Sequence, residues 1–431
     1  MDKEIYTKKE IEEALEDSRR YSLNKRLEEK NKERFEKSFK NLIKWNFVYL
    51  TYLLFEILFT IFRFENRFNK NLNPKRINKI LVFKLEHIGD VILSTPVYRE
   101  IKKVYSKSKL YVVTTPNVED TLENNPYIDK TFHINPRFTN RLLDKLKINK
   151  KIKIDLKNFK MILKIMFSVR PDVTISLRND YGNIFLNYFS GARIRIGHAI
   201  TPYNYLLTHS VSYNGDLHEI ERNLQLLEQI GIKSNDEPLE LFLNNEKINF
   251  AEKFFKNNSI KKTDLLVGIH IGGSGNLKWW PIERFTKIVD YSIGKYKAKI
   301  IVLGKENYEE ERADVLLKGF NGRIIKSFDS SVLEKAAIIK RCNLLICNDS
   351  GPMHIGAAMK TPMIAMFGPG NYKFYRPLDK IHTAIYKNLQ CSPCAPFVQN
   401  EKNDCPENIC MKLITVKEVT KEIDRKLKTI Y

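Results

Sequence analysis

A chain of 431 residues has room for two to three domains, each able to bury its own core. Lys and Arg total 73 against 51 Asp and Glu, a formal net charge of +22, so a polyanion is the expected neighbour. No zinc-finger spacing, RNA-recognition signature or Arg-rich groove-reading helix accompanies that charge, which sets nucleic acid aside and leaves anionic lipid or a phosphorylated glycolipid.

The chain starts Met1-Asp2-Lys3-Glu4, without the apolar core of a cleavable signal. Residues 7–40 are polar and helix-favouring, with charge pairs at i,i+4 such as Glu33 and Lys37. Residues 45–62 are apolar and aromatic except for Glu56, with Lys44 before them and Arg63, Arg67 and Lys70 after. As a helix this stretch is ~27 Å long, about a hydrocarbon thickness. A spanning helix bears the cost of Glu56 in mid-membrane. An interfacial helix suits the rings and flanking cations. Docking on the protein's own surface is the plain alternative. Residues 1–74 thus read as a charged helical arm whose apolar helix is expected to lie on an anionic membrane surface.

From Lys79 onward strand-like and helix-like segments alternate, the signature of a parallel sheet covered on both faces. A first domain, 75–245, has predicted strands at 79–84, 110–114, 131–134, 172–177 and 193–197, and helices over 91–105 and 219–230. Its Lys-rich insertion, 138–167, repeats apolar residues at helical spacings. There Lys145, Lys147, Lys150 and Lys151 are candidate contacts to a phosphorylated acceptor or the membrane, with a solvated face as the alternative. After a polar connector, 233–245, the alternation restarts in a second domain, 246–431. Its predicted strands are 265–271, 299–303, 323–326, 344–347 and 362–367, with helices starting near residues 281, 308, 330 and 351. Two α/β halves place a ligand where strand carboxyl ends face the cleft between them.

Three loops carry the chemistry. In Leu85-Glu86-His87-Ile88-Gly89-Asp90, after the first strand, Gly89 allows a backbone turn closed to other residues. Asp90 can accept a proton from an attacking hydroxyl there, or cap the next helix. Gly272-Gly273-Ser274-Gly275 exposes N–H groups to phosphate, and Lys278 can neutralise charge growing on a departing diphosphate. This is neither a Walker loop nor a dinucleotide fingerprint. Asn348-Asp349-Ser350-Gly351-Pro352-Met353-His354 reads as strand end, tight turn and helix start, where free N–H groups and the helix dipole favour a diphosphate; a Ser or Asp cap is the competing reading.

These landmarks, in order, resemble glycosyltransferase family 9, the ADP-heptose:lipopolysaccharide heptosyltransferase group: Ile88-Gly89-Asp90-Val91 with Thr95-Pro96; His218-Glu219 with Arg222-Asn223; His270 to Gly275 with Lys278-Trp279-Trp280-Pro281; Asn348 to His354; and Phe367-Gly368-Pro369. The resemblance covers residues 79–413. It implies a GT-B fold, two Rossmann-like domains with acceptor on the first and nucleotide-sugar on the second, and an inverting transfer to lipopolysaccharide core or another membrane glycolipid. It implies Asp90 as catalytic base. It implies Gly273, Ser274, Lys278, Glu306, Asp349, Ser350, Gly351 and His354 around the donor. Asn307-Tyr308-Glu309 beside Glu306 allows that register to shift. Lys84 stands where relatives often carry Arg, which keeps a cation and loses bidentate geometry.

No Asp-x-Asp pair stands at a strand end, so no obligatory metal is expected, although a nucleotide-sugar can carry Mg2+. Cys391-x2-Cys394-x10-Cys405-x4-Cys410 permits a four-thiolate zinc site; reduced structural thiols are the alternative. Six cysteines are too few for a disulfide scaffold and fit a reducing cytoplasm, with the protein peripheral on the inner face of the cytoplasmic membrane. Two other functions share this pattern: a membrane-docked nucleotide-sugar binder without turnover, and another nucleotide-sugar enzyme such as an epimerase.

Overall fold

The structure, a computed structural model, describes residues 77–135, 156–178, 181–199, 204–235, 238–304, 309–318, 320, 323–328, 330–394, 405 and 408–428. The arm at 1–74, with its apolar stretch 45–62, lies outside the described residues, as do Lys145, Lys147, Lys150, Lys151 and Glu306. Among the described residues no helix is long and apolar enough to cross a membrane.

The first half runs β1 (Lys79–Phe83), α1 (Ile88–Ile92), α2 (Thr95–Val104), β2 (Lys109–Thr114), β3 (Lys130–His133), α3 (Leu156–Val169), β4 (Val173–Ser176), α4 (Tyr181–Phe189), β5 (Ile194–His198), β6 (His209–Val211), α5 (Glu219–Gln225) and α6 (Asn245–Asn257). The second runs β7 (Leu266–His270), α7 (Ile282–Tyr296), β8 (Lys299–Leu303), α8 (Glu310–Leu317), β9 (Ile324–Ser327), α9 (Val332–Arg341), β10 (Leu344–Asn348), α10 (Gly351–Ala358), β11 (Met363–Phe367), α11 (Tyr372–Tyr375), β12 (His382–Tyr386), α12 (Ile409–Lys412) and α13 (Val416–Leu427).

Apolar runs such as KILVF, LLICN and MIAMF are buried on both faces, as strands of a covered parallel sheet must be. Two six-stranded sheets result, ordered β3-β2-β1-β4-β5-β6 and β12-β11-β10-β7-β8-β9. Read from its other edge, the second repeats the first: both start at an inner strand, grow one way, then cross over and grow the other way. The crossover falls between β1 and β4 in one half and between β7 and β10 in the other. Crevices outside strand carboxyl ends at such points are where ligands bind.

The edge strands escape the sequence pattern, β6 because it has only three residues and β12 because all of its residues are only partly buried. The helix expected from 91 starts at Ile88 and breaks before Thr95, where the Ser94 hydroxyl donates to the Val91 carbonyl at 2.7 Å. The expected 219–230 helix tightens to 3-10 geometry after Gln225 and stops at Gly231, which takes a left-handed φ of +78°. Straight after the connector stands a helix the polar composition hid: α6 buries Ala251 and Phe255 and lies against α9.

The apolar core is continuous from the first half into the second. A polar tie joins them too, the Val332 amide donating to the Asp120 carboxylate at 2.7 Å.

Candidate functional site

β1 delivers Lys84 to its carboxyl end, fully buried, with its ammonium 2.5 Å from Glu86 and 3.5 Å from Glu219. Burial alone would lower this lysine's pKa, but Glu86, Glu219 and Asp90 outweigh it and hold the ammonium charged. Glu86 pays the counterpart cost. Burial, with Asp90 and Glu219 nearby, pushes its carboxyl up to about 7 against the pull of Lys84. Arg222 completes the cluster, donating to Glu219 at 2.6 Å and to the Tyr213 hydroxyl.

Asp90 sits on α1 as its third residue, and its carboxylate accepts from the His87 amide at 3.3 Å. The expected capping role is therefore present in altered form: Asp90 reaches back to tie the helix it stands in. Gly89 is also corrected. It lies within a helix, and its constraint is space rather than a turn. A Cβ there would stand 2.7 Å from Cδ2 of His354, a residue of the other half.

In the second half, Lys278 Nζ and Asp349 Oδ2 pair at 2.7 Å, and Gly370 is bare because a Cβ would fall on that carboxylate. Ser350 occupies the N-cap position of α10, yet its hydroxyl makes no cap. It lies 3.1 Å from Nδ1 of His270 and 3.1 Å from the Asn348 carbonyl. His270 Nε2 in turn meets Glu309 Oε1 at 3.2 Å. The competing reading of this turn as a serine-capped helix end is thus not what the side chain does, and the leading amides of α10 keep no side-chain cap. Asn348, fully buried, pins the turn by donating to the Gly272 carbonyl at 2.8 Å.

The two switch points face each other. Beyond the Gly89–His354 approach, a Cβ on Gly351 would touch the Ile88 side chain at 3.9 Å. His354 is buried at this seam. Burial lowers its pKa, opposed by Asp349 and Asp90 and aided by Lys278, which puts all three charges around one neutral imidazole. Tyr375, from α11, has its hydroxyl pKa pushed up by burial first and then by Glu219, Asp90 and Glu86. Arg222 stacks on Phe374 at 4.3 Å, and His218 Nε2 bonds the Arg376 carbonyl at 2.9 Å.

Asp90, Lys278, Asp349, Ser350, Gly351 and His354 therefore share one locality. Gly273 makes only ordinary contacts with Lys278 and Trp279, and Ser274 is exposed on the same loop. Trp280 is core: fully buried, edge-on to Phe285, with its indole N–H on the Ile414 carbonyl at 2.8 Å. Trp279 is half-buried beneath the Arg312 guanidinium at 4.6 Å. Cys391, Cys394 and Cys405 are partly exposed and Cys410 is buried, and among the described residues no group of three or more His, Cys, Asp or Glu could hold a metal ion.

Sequence reasoning assigned no role to Glu86, Arg222, Phe374 or Tyr375, and weighed Glu309 only as a shifted register for Glu306. Glu86 lay inside the quoted loop, and the Glu219–Arg222 spacing is that of an i,i+3 ion pair. Nothing local ties Phe374 or Tyr375 to them.

Residues 166–404 match the profile of glycosyltransferase family 9 (heptosyltransferase). Lipopolysaccharide heptosyltransferase 3 of Escherichia coli (strain K12) is 25% identical over 307 residues, spanning 68% of this chain and 83% of that protein. The glycosyl transferase family 9 structure from Veillonella parvula superposes with a TM-score of 0.69 at 24% identity, covering 82% of this chain and 97% of that one. E. coli ADP-heptose lps heptosyltransferase II gives 0.64 at 18% identity, covering 81% and 99%. The shared architecture is the GT-B fold of two Rossmann-like domains.

Proposed function

The chain belongs to glycosyltransferase family 9, and on that premise we propose that it transfers a heptose from ADP-heptose to a lipopolysaccharide core or similar phosphorylated glycolipid, with inversion. The observation that carries this reading is the meeting of Asp90 with Lys278, Asp349 and the uncapped end of α10 around His354. Single displacement needs a proton acceptor on one face of the sugar and an anion cradle on the other. The acceptor hydroxyl attacks the anomeric carbon, and its proton passes to the Asp90 carboxylate. The bond from that carbon to the diphosphate oxygen breaks, and the nucleoside diphosphate leaves with the electron pair. Lys278 turns from Asp349 to the diphosphate, freeing Asp349 to accept from sugar hydroxyls. Gly273, Ser274 and Glu306 complete the donor side in this reading.

The leaving charge is met by a lysine and helix amides, so we expect turnover to need no divalent metal beyond any Mg2+ the donor carries. We further propose that the enzyme works at the inner face of the cytoplasmic membrane, with the apolar stretch 45–62 and Lys145, Lys147, Lys150 and Lys151 meeting anionic lipid or acceptor phosphates. The full chain should be incubated with ADP-heptose and lipopolysaccharide truncated before its heptoses. ADP release that depends on acceptor, persists in EDTA and yields the opposite anomer by NMR is expected. Acceptor-dependent turnover of a UDP-hexose alone would replace the donor assignment, and binding without transfer to any acceptor would replace the enzyme reading.

A further inference from the structure

The consecutive helices α3 and α4 cover one face of the first sheet, where Ile162, Ile165 and Val169 of α3 and Leu186 of α4 pack with Leu81 and Phe83. Phe167 points straight away from that packing and is 69% exposed, with Met161 and Lys164 exposed on the same outward arc. α4 is turned against the usual sense of an amphipathic helix. Its Asn183 and Asn187 are fully buried, and Asn187 accepts from the Thr174 hydroxyl and donates to the Ile196 carbonyl at 2.8 Å. Its outward side is aromatic: Phe189 is exposed, and Phe185 and Tyr188 are half-buried beside it.

Each helix then ends in an exposed arginine, Arg170 after Phe167 and Arg193 after Phe189. Arg170 closes α3 at a left-handed φ of +48°, where glycine is the usual residue. Asp172 gathers both ends. Its carbonyl accepts from the Ile194 amide at 3.1 Å, and its carboxylate accepts from the Asn78 and Lys79 amides at 2.8 and 2.9 Å. The chain thus enters β1 beside this patch, while the Lys-rich insertion runs directly into the other end of α3. Among the described residues no acid pairs with Lys164, Arg170 or Arg193.

The geometry points to the outward face of α3 and α4 as the surface by which the body lies on an anionic lipid bilayer. This rests on the membrane reading above and names where the folded body makes that contact. Phe167 and Phe189 enter the headgroup boundary, and the three cations meet lipid phosphates. α3 spans 14 residues, ~21 Å, and as the crossover between β3 and β4 it runs back along the strands. Lying flat, it sets the strand axes along the membrane and opens the cleft at the membrane's edge. Charge selects lipid over the chain's own stretch 45–62 as the cover. That stretch is bracketed by Lys44, Arg63, Arg67 and Lys70, and would bring like charge against like, as would a second copy of this face.

The full chain is sedimented with vesicles of phosphatidylcholine, alone or with about one-third phosphatidylglycerol. Wild type should bind the mixed vesicles at least about tenfold more tightly, an advantage that salt erases. Phe167→Ser should weaken binding about tenfold. Lys164→Gln with Arg170→Gln should weaken it about 10- to 30-fold on mixed vesicles and leave the neutral ones unaffected. Val104→Ser, on α2 and 55% exposed, should change nothing. Melting temperatures without lipid should match wild type in every variant. Wild-type binding by all of these, with Trp45→Asp and Phe55→Asp together abolishing it, would leave the membrane to the arm and overturn the proposal. A lowered melting temperature for Phe167→Ser without lipid would mean that the chain itself covers the face. A wild-type dimer that Phe167→Ser dissolves would mean that a second copy does; either result overturns it. If wild type binds neither vesicle, the membrane reading itself fails.

Discussion

Beyond β1, three carboxylates (Glu86, Asp90 and Glu219) gather around one buried ammonium and one guanidinium. Beyond β7 and β10 the same position in the same strand order holds glycines, a lysine, a histidine and a helix start with no side-chain cap. The topology is repeated and the side chains differ: one half gathers carboxylates around Lys84 and Arg222, the other pairs Lys278 with Asp349 beside a helix start with no side-chain cap. Doubly wound sheets fix where a ligand sits; the residues of two or three loops decide what is done to it. A displacement needing base and anion cradle on opposite faces of one sugar gains from having each built on its own rigid sheet.

If the halves divide the labour in this way, their key residues should fail differently. Asp90→Asn keeps the shape and the bond to the His87 amide but removes the base. Turnover is expected to drop by about 10²- to 10⁴-fold, with ADP affinity unchanged by calorimetry. Undiminished kcat in this variant would remove the base assignment. Lys278→Met strips the cation from the other face. A fall in kcat/KM of about 10²- to 10³-fold is expected, accompanied by weaker ADP binding. Loss of turnover with ADP affinity intact would mean that Lys278 serves the acceptor side instead.

Most of the scaffold was legible because buried parallel strands are apolar runs: Lys299–Leu303 coincides with its expected bounds, and β1, β7, β10 and β11 lie within one or two residues of theirs. The sequence misled where space rather than propensity was decisive. Gly89 reads as a turn glycine and is a helical residue leaving room for an imidazole from the other half; Gly272, read as part of a phosphate-facing loop, also leaves room for the Glu309 carboxylate. Contacts of that kind join residues far apart in the chain, and no local pattern encodes them. The Arg222–Phe374 stack belongs to the same class.

Acid should weaken the body through its buried imidazoles. Burial depresses His198 and His218 to about 4, the Arg376 carbonyl pulling His218 the other way. A folded-state pKa below the unfolded 6.5 means the stabilising contribution is complete above pH 6.5 and is lost as pH falls towards 4. Each group is worth about 2 kcal/mol between pH 6.5 and 5. Urea melts should show this slope, and His218→Gln, which keeps a donor for the Arg376 carbonyl, should remove part of it. Parallel slopes for the two proteins would show that His218 is not held neutral. Because its partner carbonyl is in the other half, donor KM should rise over the same range before the body unfolds.

The smallest effect separates contact within a half from contact between halves. The Arg222 guanidinium lies 4.8 Å from the Tyr213 ring, its neighbour in the first half, and 4.3 Å from the Phe374 ring of the second. Substitution by leucine keeps bulk and removes the ring face, costing about 0.5–1 kcal/mol at Phe374, and at Tyr213 it also removes the hydrogen bond from Arg222. If the stack on Phe374 helps hold the cleft closed, Phe374→Leu should raise donor KM by about two- to fivefold with kcat nearly constant, since closure precedes chemistry. Tyr213→Leu, without that hydrogen bond as well, should lower the melting temperature at least as much and leave donor KM where it was. Equal KM values in the two variants would assign the Arg222 sandwich to stability alone and leave closure to the Gly89–His354 seam.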